Sequence, residues 1–128
     1  MTTNKTAHIG HQPYRSRLPD ERQAITHKFN VGGHEGYLTI GLYKSGRPGE
    51  VFIHVSKHGA TMSGLIDGFA TAISLCLQYN VPLDVLVDKF MHTQFEPQGI
   101  TTNPEIPHVT SLIDYVFKYL KLKFGDLS

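Results

Sequence analysis

Between Ala24 and Val55 apolar and polar residues alternate with a period of two, the pattern of strands with one buried face. Ile25, His27, Phe29 and Val31 fall on one side of the first run, and Thr26, Lys28 and Asn30 on the other. Gly32-Gly33 then supplies a turn that needs nothing from side chains. Tyr37 to Tyr43 predicts a second strand with Leu38, Ile40 and Leu42 on one face. Ser45-Gly46-Arg47-Pro48-Gly49 reads as a hairpin loop, and Val51, Ile53 and Val55 as the buried face of a third strand, with Phe52 and His54 opposite. Three consecutive strands joined by short turns predict an antiparallel meander.

After Ser56 the period changes to that of helices. Leu65, Ile66, Phe69, Ala70, Ile73 and Leu77 recur at spacings of one, three and four, which predicts a helix capped by Thr61 or Ser63 and running to about Tyr79. Gly64 and Gly68 lie four apart on it and would permit close packing on the sheet or another helix. Asn80 is a candidate C-cap, and Pro82 prevents continuation. Leu83 to His92 predicts a shorter helix with Val85, Leu86, Val87 and Phe90 inward. A Pro/Gly-rich loop from Phe95 to Pro107 precedes a last helix. That helix starts at Thr110 or Ser111, with Leu112, Ile113, Val116, Phe117 and Leu120 as its stripe and Gly125 as its end. The expected fold is therefore α+β: a three-stranded antiparallel meander followed by about three helices packed on one face.

Residues 1–23 lack this periodicity and are expected to form a flexible arm, leaving 24–125 as one domain. Residues 1–28 hold Lys5, Arg15, Arg17, Arg22 and Lys28 against Asp20 and Glu21, a local charge of 5 − 2 = +3. The arm reads either as a solvated leader or as a segment that docks on a partner or on phosphates.

Composition narrows the function classes. The 128 residues suit one domain, long enough to bury roughly two-thirds of its unfolded surface without a disulfide or metal. A formal charge of +1 gives no bulk attraction to nucleic acid or acidic membranes, and neither partner is expected. A lone cysteine, Cys76, excludes an intrachain disulfide framework, a Cys-x-x-Cys pair and a Cys-rich zinc knuckle in these residues. The start of the chain has no signal-peptide pattern and no stretch reads as a membrane span. With a free thiol, the expected compartment is the cytoplasm.

Candidate chemistry is sparse. The eight histidines (His8, His11, His27, His34, His54, His58, His92 and His108) form no zinc-protease motif and are expected to be scattered rather than to hold a metal. Cys76 sits between Leu75 and Leu77, where a buried, inert thiol is expected. No nucleophile elbow or Walker loop is present, and no catalytic residue is assigned. The best anion-binding candidate is Lys57-His58-Gly59-Ala60-Thr61-Met62-Ser63-Gly64, at a strand-to-helix junction where free backbone N–H groups and the helix dipole favour negative charge. The same Thr and Ser can equally serve as helix caps. Lys57, Thr61 and Ser63 are the candidate ligand-binding residues, with His34 and His92 as neighbours. The loop His92-Thr93-Gln94-Phe95-Glu96-Pro97-Gln98-Gly99 is a second functional candidate without assigned chemistry.

Leu18-Pro19-Asp20-Glu21-Arg22, Ile25-Thr26-His27-Lys28-Phe29, Gly33-His34-Glu35-Gly36-Tyr37, Gly46-Arg47-Pro48-Gly49-Glu50-Val51-Phe52-Ile53 and Gly64-Leu65-Ile66-Asp67-Gly68-Phe69-Ala70 resemble the C-terminal region of adenosylcobalamin-dependent (class II) ribonucleotide reductases. So do Leu77-Gln78-Tyr79, Val81-Pro82-Leu83, His92-Thr93, Phe95-Glu96-Pro97 and Asp114-Tyr115. The likeness covers residues 18–124, a region called the TSCPD domain. It implies a link to deoxyribonucleotide synthesis. It also implies that the radical-forming cysteine, the reducing cysteine pair and the adenosylcobalamin site belong to the family's large barrel. No cofactor is expected on this chain, and Cys76 inherits no redox role.

Two functions follow as expectations. The first is a non-catalytic accessory domain or split subunit that binds a class II reductase catalytic chain, with a nucleotide as a further ligand. The alternative is a stand-alone protein that binds a nucleotide or other anion without a reductase. The apolar helix with its two glycines also leaves a homo-oligomer open.

Overall fold

A computed structural model of the chain describes residues 14–56 and 59–127. Strands β1 (Ala24–Val31), β2 (His34–Leu42) and β3 (Pro48–Val55) form an antiparallel sheet in the order β1-β2-β3. Helices α1 (Ala60–Gln78), α2 (Leu83–Phe90) and α3 (Leu112–Phe124) follow. The architecture is the expected α+β meander with helices.

The β1–β2 turn is two residues long, with Val31 paired to His34. Gly32 and Gly33 have φ of 55° and 86°, the left-handed pair that a tight hairpin requires. The Gly33 N–H donates to Asn30 Oδ1 at 3.0 Å. A Cβ on Gly32 would also lie 2.6 Å from the Gln98 carbonyl oxygen, so the turn is closely overlaid by the later loop. This register places Phe29, Val31, Leu38, Ile40, Val51, Ile53 and Val55 in the core, the face the alternation predicts.

Helix α1 lies along the free edge of β3, and two of its side chains stand in for a fourth strand. The Val51 N–H donates to Ser74 Oγ at 2.8 Å, and Gln78 Nε2 donates to the Gly49 carbonyl at 2.9 Å. Ser74 and Gln78 are four apart and so share one face of the helix. The edge groups at Gly49 and Val51 that would template another chain are thus satisfied internally. Ala70, Ile73 and Leu77 carry the hydrophobic contact on the adjoining face.

Helix α3 is the most enclosed of the three helices, with eight of its thirteen residues buried. It joins α1 and α2 through Phe69, Phe90 and Phe117, whose ring centroids lie 5.2–6.2 Å apart. Ser111 is its N-cap, accepting from the Asp114 N–H. Asp114, fully buried, accepts from the backbone N–H groups of His92 at 2.6 Å and Thr110 at 2.9 Å, and pairs with Lys118 at 3.0 Å. One carboxylate therefore ties the start of α3 to the end of α2. It also holds His92 at φ 70°, in the left-handed region that a residue with a Cβ avoids.

Several expectations need correction. The N-cap of α1 is Gly59, with no side-chain cap, so neither Thr61 nor Ser63 caps it. Gly64 and Gly68 face open space, with nothing within 4 Å of an added Cβ, and pack on neither the sheet nor a helix. Helix α2 ends at Phe90, and Val85 points outward because its position falls opposite Leu83, Leu86 and Val87. Asn80 occupies the left-handed position one residue past the actual C-cap, Tyr79. The Pro/Gly loop contains a small hairpin, β4 (Gly99–Ile100) with β5 (His108–Val109), bridged to the end of β1 through Val31 and Thr101.

The arm expected over residues 1–23 falls outside the described residues up to Pro13. Residues 14–23 hold no helix or strand but are docked. The Ser16 N–H donates to the Gln78 carbonyl, Arg15 Nε donates to Gln78 Oε1, and Arg22 makes a two-pronged contact with Glu50. Finally, α1 is long and apolar enough to cross a membrane by length and composition, although Asp67, Thr71, Ser74 and Gln78 interrupt its apolar run.

Replacing Asp114 with Ala strands two backbone donors and the Lys118 ammonium. The expected loss is about 3 kcal/mol, on the scale of a broken buried charge network, read from urea unfolding. A loss below about 1 kcal/mol would contradict the structural weight given to this carboxylate.

Candidate functional site

A cleft of about 570 Å³ lies between α1 and the solvent-facing side of the sheet. Strand alternation puts Tyr37, Thr39, Phe52 and His54 on its floor, since β2 and β3 turn their other residues to the core. Tyr37 stands opposite His54, and Thr39 opposite Phe52. Asp67, Thr71 and Leu75 form the helical wall, and Arg15 with Gln78 closes one end. Its volume lies in the range of small-ligand sites, and its aromatic floor with a few polar groups suits a flat or extended ligand. No described group of His, Cys, Asp and Glu residues is arranged to hold a metal ion.

Lys57 lies outside the described residues. Thr61 and Ser63 sit in the exposed first turn of α1, where the first turn has no acidic residue. His34 opens β2, beyond the point where Gly36 pairs with Val55, and is exposed. His92 follows α2, its ring exposed and its Nδ1 3.8 Å from Asp114 Oδ1. The large groove is lined by none of His34, Thr61, Ser63 or His92. Cys76 is half-buried against the core.

The alternation on β1 placed His27 on the inner face without showing its partners. The Asn103 amide donates to the Tyr115 hydroxyl at 3.1 Å, leaving that hydroxyl to donate to His27 Nε2 at 2.7 Å. The His27 ring also stacks on Tyr119 at 4.2 Å between centroids. Burial lowers the His27 pKa, and the Lys123 charge lowers it further. The neutral imidazole accepting from Tyr115 thus belongs to a hydrogen-bonded core network. Asp114 behaves oppositely: burial works to raise its pKa, but the Thr110 and His92 N–H groups and Lys118 hold it below the ordinary carboxylate value. The pattern Ser111-x-x-Asp114, a capping-box spacing, is the sequence signal that points to this residue.

Residues 12–124 match the family model described as TSCPD domain. The vitamin B12-dependent ribonucleotide reductase of Rhodopirellula baltica is 53% identical over 116 residues, 91% of this chain and 11% of that protein. The reductase of the same name from Streptantibioticus cattleyicolor is 45% identical over 91% of this chain and 19% of its own length. That of Bradyrhizobium diazoefficiens is 48% identical over 86% of this chain and 9% of its own. The chain thus spans between about a tenth and a fifth of the relatives it matches. No solved structure gives a significant match. The groove fits a small ligand but is too small to enclose adenosylcobalamin, a corrinoid with a nucleotide tail.

The His27 shift has a definite sign. A histidine whose folded pKa lies below its unfolded value binds fewer protons when folded, so stability falls as pH drops through and below about 6.5. His27→Gln should flatten the stability-against-pH curve between about pH 7 and 5. An unchanged slope would show that this network does not report the imidazole's charge.

Proposed function

The chain belongs to the TSCPD domain family, and we propose that it serves B12-dependent ribonucleotide reduction as a non-catalytic module docked on a reductase catalytic chain. The observation that carries this reading is the asymmetry of coverage: about nine-tenths of this chain aligns with 11–19% of reductases at 45–53% identity. In those relatives the same fold is covalently attached to a much longer polypeptide. These 128 residues hold one cysteine, Cys76, against the three that the resemblance assigns to radical formation and reduction. The half-buried thiol suits a reducing compartment, and the cytoplasm is the proposed one.

The test uses the Rhodopirellula baltica reductase with its own matching 116 residues deleted. The present chain should bind it with a Kd tighter than about 10 µM, as a specific interface requires. No binding at several times that concentration would remove the module reading.

One observation favours a second reading, binding of a nucleotide or other anion at the start of α1. That helix begins at Gly59 without a side-chain cap or an acidic residue in its first turn, leaving the Thr61 and Ser63 hydroxyls exposed. Lys57, Thr61 and Ser63 are the proposed contacts, with His34 and His92 as outlying neighbours. ATP and inorganic phosphate should each raise the Tm of the wild type, and Lys57→Ala should require about tenfold more ligand for the same rise. Equal stabilisation of both chains would take Lys57 out of the site.

A further inference from the structure

Helix α1 is unusual among the described elements in how little of it is covered. Only Ala70, Ile73, Leu77 and Gln78 of its nineteen residues are buried, and Asp67 is its one charged residue. The direction opposite the core carries Gly64, Leu65, Gly68, Ala72 and Leu75, all exposed, with the exposed Met62 on its flank. Leu65 is 66% exposed and Met62 46%. A water-facing helix normally shows charge on that side, whereas this face runs about 17 Å, from Gly64 to Leu75, without any. At its start, Met62, Leu65, Ile66 and Phe69 meet Phe95 and Pro97 around an almost wholly apolar hollow of about 180 Å³. That is room for one large side chain. Contiguous apolar surface with a hollow of this kind marks an interaction site.

We propose that this uncharged outward face of α1, with the hollow at its start, is the surface through which the chain docks on a reductase catalytic chain. The inference rests on the module reading above and adds where the contact is made. The occupant is a surface of that catalytic chain presenting a large apolar side chain to the hollow and a basic residue beside it. Three observations select it. The relatives place this fold beside polypeptide making up four-fifths or more of their length, so a neighbour of that kind is at hand. The carboxylates flanking the face, Asp67 and Glu96, have no ion-pair partner among the described residues, which favours a basic rim opposite. A lipid surface would instead call for Lys or Arg on the polar flanks of the helix, and α1 has neither.

The test measures binding of the chain to the same Rhodopirellula baltica reductase lacking its matching segment, with sedimentation and vesicle flotation on the chain alone. Leu65→Asp and Gly68→Arg alter exposed positions, and Gly68 faces open space, so the Tm of either variant should stay close to that of the wild type. Both should weaken binding by about 30-fold or more. Asp67→Lys should weaken it less and reduce its salt dependence. Leu122→Ala, at an exposed position of α3 away from the groove and the hollow, should bind as the wild type does. Wild-type affinity in Leu65→Asp and Gly68→Arg would overturn the docking face while leaving the module reading intact. No binding by the wild type would remove both. A wild-type dimer dispersed by Leu65→Asp would assign the face to a second copy and overturn the inference. Flotation with anionic vesicles abolished by the same change would assign it to a membrane, with the same consequence.

Discussion

The free edge of β3 is the constraint around which the molecule is organised. A three-stranded sheet has two edges, and the outer N–H and carbonyl groups of β3 need partners. Here α1 supplies them at Gly49 and Val51. Ser74 Oγ takes the Val51 N–H and lies 2.8 Å from the Ala70 carbonyl and 3.2 Å from that of Val51, while Gln78 reaches the Gly49 carbonyl. Gln78 is buried and bonded on every side, since Arg15 and Ser16 complete its amide oxygen and backbone carbonyl. A helix used as an edge cover can spend only a narrow strip of its circumference on the core. The broad outward face of α1 is the geometric consequence.

A second consequence concerns the N-terminal segment. Because Gln78 needs an additional donor, residues 15 and 16 are drawn onto the end of α1, and the Tyr43 hydroxyl donates to the Ser16 carbonyl at 2.5 Å. A Cβ on Gly49 would lie 2.6 Å from the Tyr43 ring, so a side chain there would push this tyrosine away. The segment 14–23 belongs mechanically to the domain, in agreement with a family match that begins at residue 12. At the opposite end, Asp114 does for the helices what Gln78 does for the sheet edge. It gathers His92, Thr110 and Lys118 around one buried carboxylate.

Much of this fold was legible along the chain because it depends on local periodicity. Phe29, Val31, Leu38, Ile40, Val51 and Ile53 sit where alternation puts them, and Ser111 caps α3 as its residue type suggests, whereas Gly125 keeps a right-handed helical backbone and leads into a 3-10 turn. What escaped depends on contacts between distant segments. Gly64 and Gly68 looked like packing glycines because spacing shows which residues share a face, but not whether that face meets anything. Thr61 and Ser63 looked like caps, but the extended backbone at Gly59 starts the helix earlier. The β4–β5 hairpin is too short for a periodic signal, and it is held through Val31, Gly32 and Thr101. The large groove likewise draws on four segments spread from Arg15 to Gln78.

The association with B12-dependent reductases and the exposure of α1 converge on one physical claim: this helix has an outward face that water does not suit and another polypeptide covers. Hydrogen–deuterium exchange of the full chain, alone and mixed with the reductase lacking its matching segment, addresses it directly. Protection should rise over residues 60–79 and the loop around Phe95 when the reductase is added, with little change in β1 and β2. Protection confined to other elements, or none at a concentration where the two proteins form a complex, would contradict it.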